Sequence, residues 1–312
     1  MLRLGGPLIV GIFASLWTSI SGAHDVRGLS NPSVKLATEL NIRLLQQLAQ
    51  KEQDPDARYV YSRLLLWTPG QALRSCFMNG TREERELIVK TAGELLNGKD
   101  VNLSFDFGSP PQYRACSESG RRSDVRVSFQ NSCCAAYIGR TSHSPQVKDG
   151  PSVFLEGVLQ YDADKRRQTV MHELLHAIGF DHEHQSPAVD CEQEFNKSKI
   201  LAAYGWNDAD FKTNLQQLER DSHSYTWSSY DNKSIMKYYF DPKLLNNGQQ
   251  SPCYSPENYL PSDRDYEGLR NAYPAAAAVE PSRSRAALGT VAGSNSPAAV
   301  RDLARELQSL EQ

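Results

Sequence analysis

The stretch His172-Glu173-Leu174-Leu175-His176-Ala177-Ile178-Gly179-Phe180-Asp181-His182 constrains this chain more than any other. Two histidines four residues apart lie on one face of a helix, one turn apart. Their imidazoles can approach one divalent ion at the about 2.0–2.1 Å usual for zinc and nitrogen. His182 follows six residues later, where a continuing helix would carry it away from that ion. The helix therefore has to stop first, and Gly179 is suited to the reversal because glycine takes positive φ without steric cost. Three imidazoles leave one position open to water, as in catalytic rather than structural zinc sites. Glu173, beside the first imidazole, is the candidate base toward that water. With 7 histidines in 312 residues, this register has chance odds on the order of 10⁻⁵, so a single bound Zn²⁺ is expected.

The helix that carries the first two histidines reads from about Asp164 to Ile178. Upstream, residues 72–78 suit a strand, and Thr81 with Glu84 forms a capping box for a helix that runs to about Leu96. Val101, Leu103, Phe105 and Phe107 alternate with polar residues, as do Val125, Val127 and Phe129, which predicts two half-buried strands. Residues 135–139 and 153–157 are shorter strand candidates. Strands interleaved with helices favour an α/β fold with a mixed sheet packed on helices. Residues 190–220 read as irregular helix and 221–261 as long loops. Ser262 starts a last helix that ends at Pro274.

The ends differ from this middle. Met1-Leu2-Arg3, an apolar run to about Ile20 and Ser21-Gly22-Ala23 predict a signal peptide over 1–23 and hence secretion. Residues 24–57 form an N-terminal extension or pro-segment. In it Asn31-Pro32 can start an amphipathic helix through Leu36, Leu40, Leu44 and Leu48, followed by a polar linker over 51–58. The main domain is expected over 58–274 and a flexible tail over 275–312. No later run of about 18 apolar residues suggests a membrane span. The net charge of −3 lacks the concentrated basic face that nucleic acid requires. The basic runs Arg121-Arg122 and Lys165-Arg166-Arg167 are expected to be solvated surface. The even count of 6 cysteines suggests disulfides. Cys191 with Cys253 is the favoured pair, and the adjacent Cys133 and Cys134 are expected to point apart toward Cys116 and Cys76.

Beyond the histidines, Ser234-Ile235-Met236-Lys237-Tyr238 resembles the Met-containing turn of the astacin branch of the metzincin metalloproteases, which reads Ser-Ile-Met-His-Tyr. Lys237 stands where that family usually has His. Together with the run 172–182, the resemblance implies a metzincin-like fold: a mixed twisted sheet, an active-site helix and a smaller irregular C-terminal subdomain. It implies that Met236 is an apolar floor beneath the metal held by His172, His176 and His182. It also implies that Tyr238 is a zinc ligand at rest or a donor to the transition-state oxyanion. Glu183 matches a family glutamate that anchors a processed N-terminus, with an internal cation as the alternative partner. His184 is expected beside the site or on the surface rather than on the metal, and His143 and His223 on the surface.

These features predict a secreted, monomeric zinc-dependent endopeptidase acting on protein or peptide substrates, with Glu173 and Tyr238 catalytic. The competing expectation is a zinc-bearing binding or adhesion protein without catalysis.

Overall fold

The computed structural model describes residues 60–62, 65–118, 122–131, 133–218 and 225–275. The expected signal peptide, the 24–57 extension with its helix, Arg121, His223 and the tail from 276 onward lie outside the described residues.

A five-stranded sheet forms the frame. Its strands are β2 (Ala72–Phe77), β3 (Ser104–Asp106), β4 (Val125–Ser128), β5 (Cys133–Ala136) and β6 (Val153–Leu155), in the spatial order β3-β2-β4-β6-β5. β2, β3, β4 and β6 are parallel, and β5 runs antiparallel to β6 as the last strand. A separate ribbon pairs β1 (Tyr61–Ser62) with β7 (Tyr225–Thr226). Helix α1 (Arg82–Leu96) begins at the expected capping box: the Thr81 side chain accepts the Glu84 N–H, and Glu84 accepts the Thr81 N–H at 2.7 Å. It packs against α2 (Ala163–Ala177), which lies over β5 and β6.

The expected half-burial of β4 does not occur, because all four of its residues are buried. A parallel strand covered on both faces has no solvent side. Arg126 tolerates this by donating to the carbonyls of Gly150, Ser123, Ser142 and Val147, at 2.6–3.0 Å. Burial draws its pKa down to about 10. The guanidinium thus ties the 139–150 segment to the sheet.

The apolar residues divide into two cores. The first joins the sheet, α1 and α2 and includes Phe77, Leu95, Val127, Leu174 and Met236. The second gathers Phe195, Ile200, Trp206, Phe211, Tyr238 and Phe240 around α3 (Cys191–Glu194), α4 (Lys197–Tyr204) and α5 (Asp208–Leu215). β5 divides them: Cys134 and Ala136 belong to the first, Ala135 and Tyr137 to the second. That is the two-residue period of a strand. The last helix, α6 (Asp263–Ala272), starts at Ser262 as expected.

Three sequence expectations need correction. Cys133 and Cys134 bond to each other and Cys76 bonds to Cys116. Two strands, β4 and β6, separate β2 from β5, which at about 4.8 Å per strand puts Cys76 beyond the ~7 Å Cα reach of a disulfide. The Cys191–Cys253 pair forms as expected, with Cα atoms 5.6 Å apart. His143 is not on the surface: it is 7% exposed, lies edge-on to Trp67 and stands 3.1 Å from Asp124 Oδ1. Lys165 is likewise buried, paired with Glu257 at 2.5 Å.

Candidate metal centre

Helix α2 starts at Asp162, whose carboxylate accepts the Lys165 N–H at 2.9 Å. Its far end is closed from outside the helix. Trp67 Nε1 donates to Ala177 O at 2.9 Å, and the Tyr273 hydroxyl donates to Ile178 O. These bonds satisfy carbonyls that a helix end leaves without partners. Gly179 then turns the chain at φ +104°, where an added Cβ would come within 2.8 Å of Leu66 Cδ2. Phe180 bridges to Tyr61, and the Asp181 N–H donates to Val60 O at 3.0 Å. This pairing carries His182 back toward the helix.

The three predicted histidines come together. One nitrogen from each of His172, His176 and His182 lies within 4.8 Å of the other two. The Nε2 atoms of His176 and His182 are 3.1 Å apart. Each Nδ1 meets an oxygen that only accepts: Ile235 O at 2.8 Å, Phe180 O at 2.7 Å and Gln185 Oε1 at 3.2 Å, respectively. The Gln185 oxygen is fixed because its Nε2 donates to Gln216 O at 3.1 Å and to Thr213 O at 3.4 Å. Nδ1 therefore carries the proton on all three rings, and each Nε2 presents a lone pair. Such lone pairs repel at this distance unless a cation lies between them. A tetrahedral zinc would set its nitrogens about 3.3 Å apart. The donor set and its tautomers fit that ion.

Glu173 is 0% exposed, and burial by itself holds its carboxyl well above the usual range; a bound divalent ion would draw it back toward the carboxylate that a base requires. The Tyr238 ring centroid lies 4.4 Å from that of His182 and 6.3 Å from that of His172. Burial, and secondarily the nearby Glu173, keeps its phenol protonated. His184 stacks on His182 at 5.0 Å and lies tilted against Tyr238 at 4.4 Å. It uses the opposite tautomer: Nε2 donates to Asn214 O at 2.9 Å, leaving Nδ1 to accept the Tyr238 N–H. With both nitrogens engaged, it sits beside the cluster, as expected. Glu183 accepts the Asp231 N–H at 2.8 Å. Among the described residues it forms no ion pair with an internal cation. Burial raises its carboxyl well above the usual range, Asp265 and Asp231 add to the shift, and Arg264 opposes it.

Several supporting residues escaped the sequence reading. Asp265, in the first turn of α6, accepts the Ser234 hydroxyl at 2.6 Å and the Ile235 N–H at 2.9 Å. It thereby holds the turn whose Ile235 carbonyl orients His172. Gln185 orients His182. The Lys165–Glu257 pair, with Gln168 donating to Asn258 O, fastens segment 257–258 to α2. Asn258 in turn donates to Asn232 O and Ser234 O, at 3.1 and 3.4 Å. Only Ser262, as a helix start, hinted at any of them.

Residues 111–258, which include the triad, Glu173 and Tyr238, match the model of the astacin peptidase family. Over that segment the chain is similar to the astacin-like metzincins. It is 28% identical over 220 residues to zinc metalloproteinase nas-12 of Caenorhabditis elegans, covering 66% of this chain and 52% of that protein. The chain thus spans about half the length of this curated relative. The solved structure of myroilysin superposes with a TM-score of 0.57 and 25% identity, over 69% of this chain and 98% of that one. This astacin-like fold agrees with the mixed sheet, the long histidine-bearing helix and the smaller second core. Lys237, in place of the family's usual His, leaves the geometry of the three histidines intact.

Proposed function

We propose that this chain is a secreted zinc-dependent endopeptidase that acts as a monomer on protein or peptide substrates. His172, His176 and His182 hold one zinc ion, Glu173 is the general base, and Tyr238 stabilises the oxyanion. The observation that carries the reading is the convergence of three imidazole nitrogens, with the buried Tyr238 ring against His182 and a fully buried carboxyl on the residue after His172. When bound, the metal supplies Lewis acidity and makes water nucleophilic near neutral pH.

The chain's own residues do the rest. Glu173 takes a proton from the attacking water as its oxygen bonds to the scissile carbonyl carbon. Glu173 then passes that proton to the amide nitrogen as the C–N bond breaks, so that one water is consumed for each peptide bond cleaved. The Tyr238 hydroxyl donates to the carbonyl oxygen as it gains charge, and burial strengthens that hydrogen bond. An extended substrate pairs along β5 (Cys133–Ala136), the last strand of the sheet.

The experiment that tests this is Glu173→Ala in the zinc-loaded protein, with hydrolysis of casein or gelatin and zinc content both measured. Turnover is expected to fall at least 10³-fold while zinc stays bound. Normal turnover in that variant would refute Glu173 as the base. A wild-type protein inactive with zinc bound would favour the silent binding protein instead.

A further inference from the structure

Tyr238 lies outside helix and strand, so a regular ladder does not set its backbone. Its peptide groups are held by two side chains that the proposed reaction leaves unused. The Tyr238 N–H donates to His184 Nδ1 at 3.4 Å, and Lys237 Nζ donates to Tyr238 O at 2.8 Å. Both side chains are anchored elsewhere. His184 donates to Asn214 O on α5. Lys237, 3% exposed, places its ammonium 5.2 Å from the centre of the Phe240 ring in the second core. The His184 ring also packs against both His182 and Tyr238, whose own rings are in contact, so the three form a cluster.

We propose that His184 and Lys237 are positioning residues that grip the Tyr238 peptide unit from both sides and thereby fix its phenol over the histidine cluster. The reasoning is geometric. A donor to a developing oxyanion loses its value when displaced by a fraction of an ångström. Residues 237–239 belong to neither a helix nor a strand; the Lys237 N–H closes a turn onto Ser234 O, and at Tyr238 two side chains add the hold. A lysine buried where its main hydrogen bond is to one backbone carbonyl costs desolvation. Holding that carbonyl gives the lysine a purpose. The purpose assigned to the grip rests on the oxyanion role proposed for Tyr238.

The test uses the full-length zinc-loaded protein and the variants Lys237→Met, His184→Leu and His184→Gln. Gln can still accept from Tyr238 and donate to Asn214. Amide hydrogen exchange at Tyr238, which does not depend on turnover, is expected to speed up at least tenfold in His184→Leu and to recover in His184→Gln. In Lys237→Met and His184→Leu, kcat is expected to fall about tenfold, with KM within twofold and zinc stoichiometry retained. Lys237→Met added to Tyr238→Phe should cost less than a further twofold, because the lysine acts through that phenol. Unchanged exchange in His184→Leu would overturn the grip, whatever Tyr238 does. A full tenfold loss on top of Tyr238→Phe, or loss of zinc or fold in both Lys237→Met and His184→Leu, would show a merely structural role and also overturn it. Normal kcat in Tyr238→Phe alone, with the exchange effects intact, would instead remove the catalytic role of Tyr238.

Discussion

A histidine's environment decides which of its nitrogens carries the proton, and that separates the histidines here. The three that converge give Nδ1–H to carbonyl oxygens and keep Nε2 for a metal, while His184 donates through Nε2 and keeps Nδ1 for a backbone amide. His143 illustrates a third case. It stands close to Asp124, yet its Nε2 lacks the alignment of a hydrogen bond. Burial therefore outweighs the carboxylate and lowers its pKa. A group with a depressed folded-state pKa favours the native state fully above its unfolded value of about 6.5. That contribution is lost as pH falls through the folded pKa, because only the unfolded chain gains the proton readily. The metal-loaded protein is therefore expected to lose urea stability below pH 6.5, and His143→Gln should lessen the slope by up to one proton. An unchanged slope would show that His143 titrates alike in both states.

At the scale of elements, what could be read from the sequence was what neighbours in sequence determine. The Thr81–Glu84 box and the Gly179 stop act within one turn of the chain. The triad was readable because two of its members share one helix and the third follows a single reversal. What escaped depends on partners far along the chain. Arg126 looked like the solvent side of a strand, but its cover comes from segment 139–150. The order of strands, which ruled out the expected cysteine partners, is likewise nonlocal. Asp265 is the clearest case in the site: the sequence marks only Ser262 as a helix start, whereas the Asp265 carboxylate accepts from Ser262, Ser234 and Ile235. Removing it loses the reciprocal half of the Ser262 capping box, a hydrogen bond worth about 1 kcal/mol. It also strands the Ile235 N–H, which costs about 1–3 kcal/mol. Asp265→Ala is expected to lower unfolding free energy by about 2–4 kcal/mol. Zinc affinity should weaken too, because the turn that orients His172 loosens. A stability loss under about 1 kcal/mol in chemical denaturation would mean that water replaces the carboxylate.

At the scale of the whole molecule, the candidate site lies on the seam between two cores, and its parts divide between them. His172 and His176 ride on α2, whose apolar residues Leu174 and Leu175 belong to the first core. Met236 belongs to that core as well, whereas Tyr238, two residues on, belongs to the second. The second core is smaller, is built from short helices, and contains the Cys191–Cys253 bridge across 62 residues. Closing a loop of that length restricts the unfolded chain by about 4 kcal/mol on the chain-entropy scale. The bridge should therefore matter most where it lies. Replacing both cysteines with alanine is expected to speed amide exchange in α4, α5 and the segment around Phe240, and to leave α1 and β2 protected. Because the histidines of α2 are anchored by the other core, zinc should remain bound while kcat falls through the loosened Tyr238. Equal loss of protection in both cores would mean that the two unfold as one unit, and zinc retention and Tyr238 placement would then fail together.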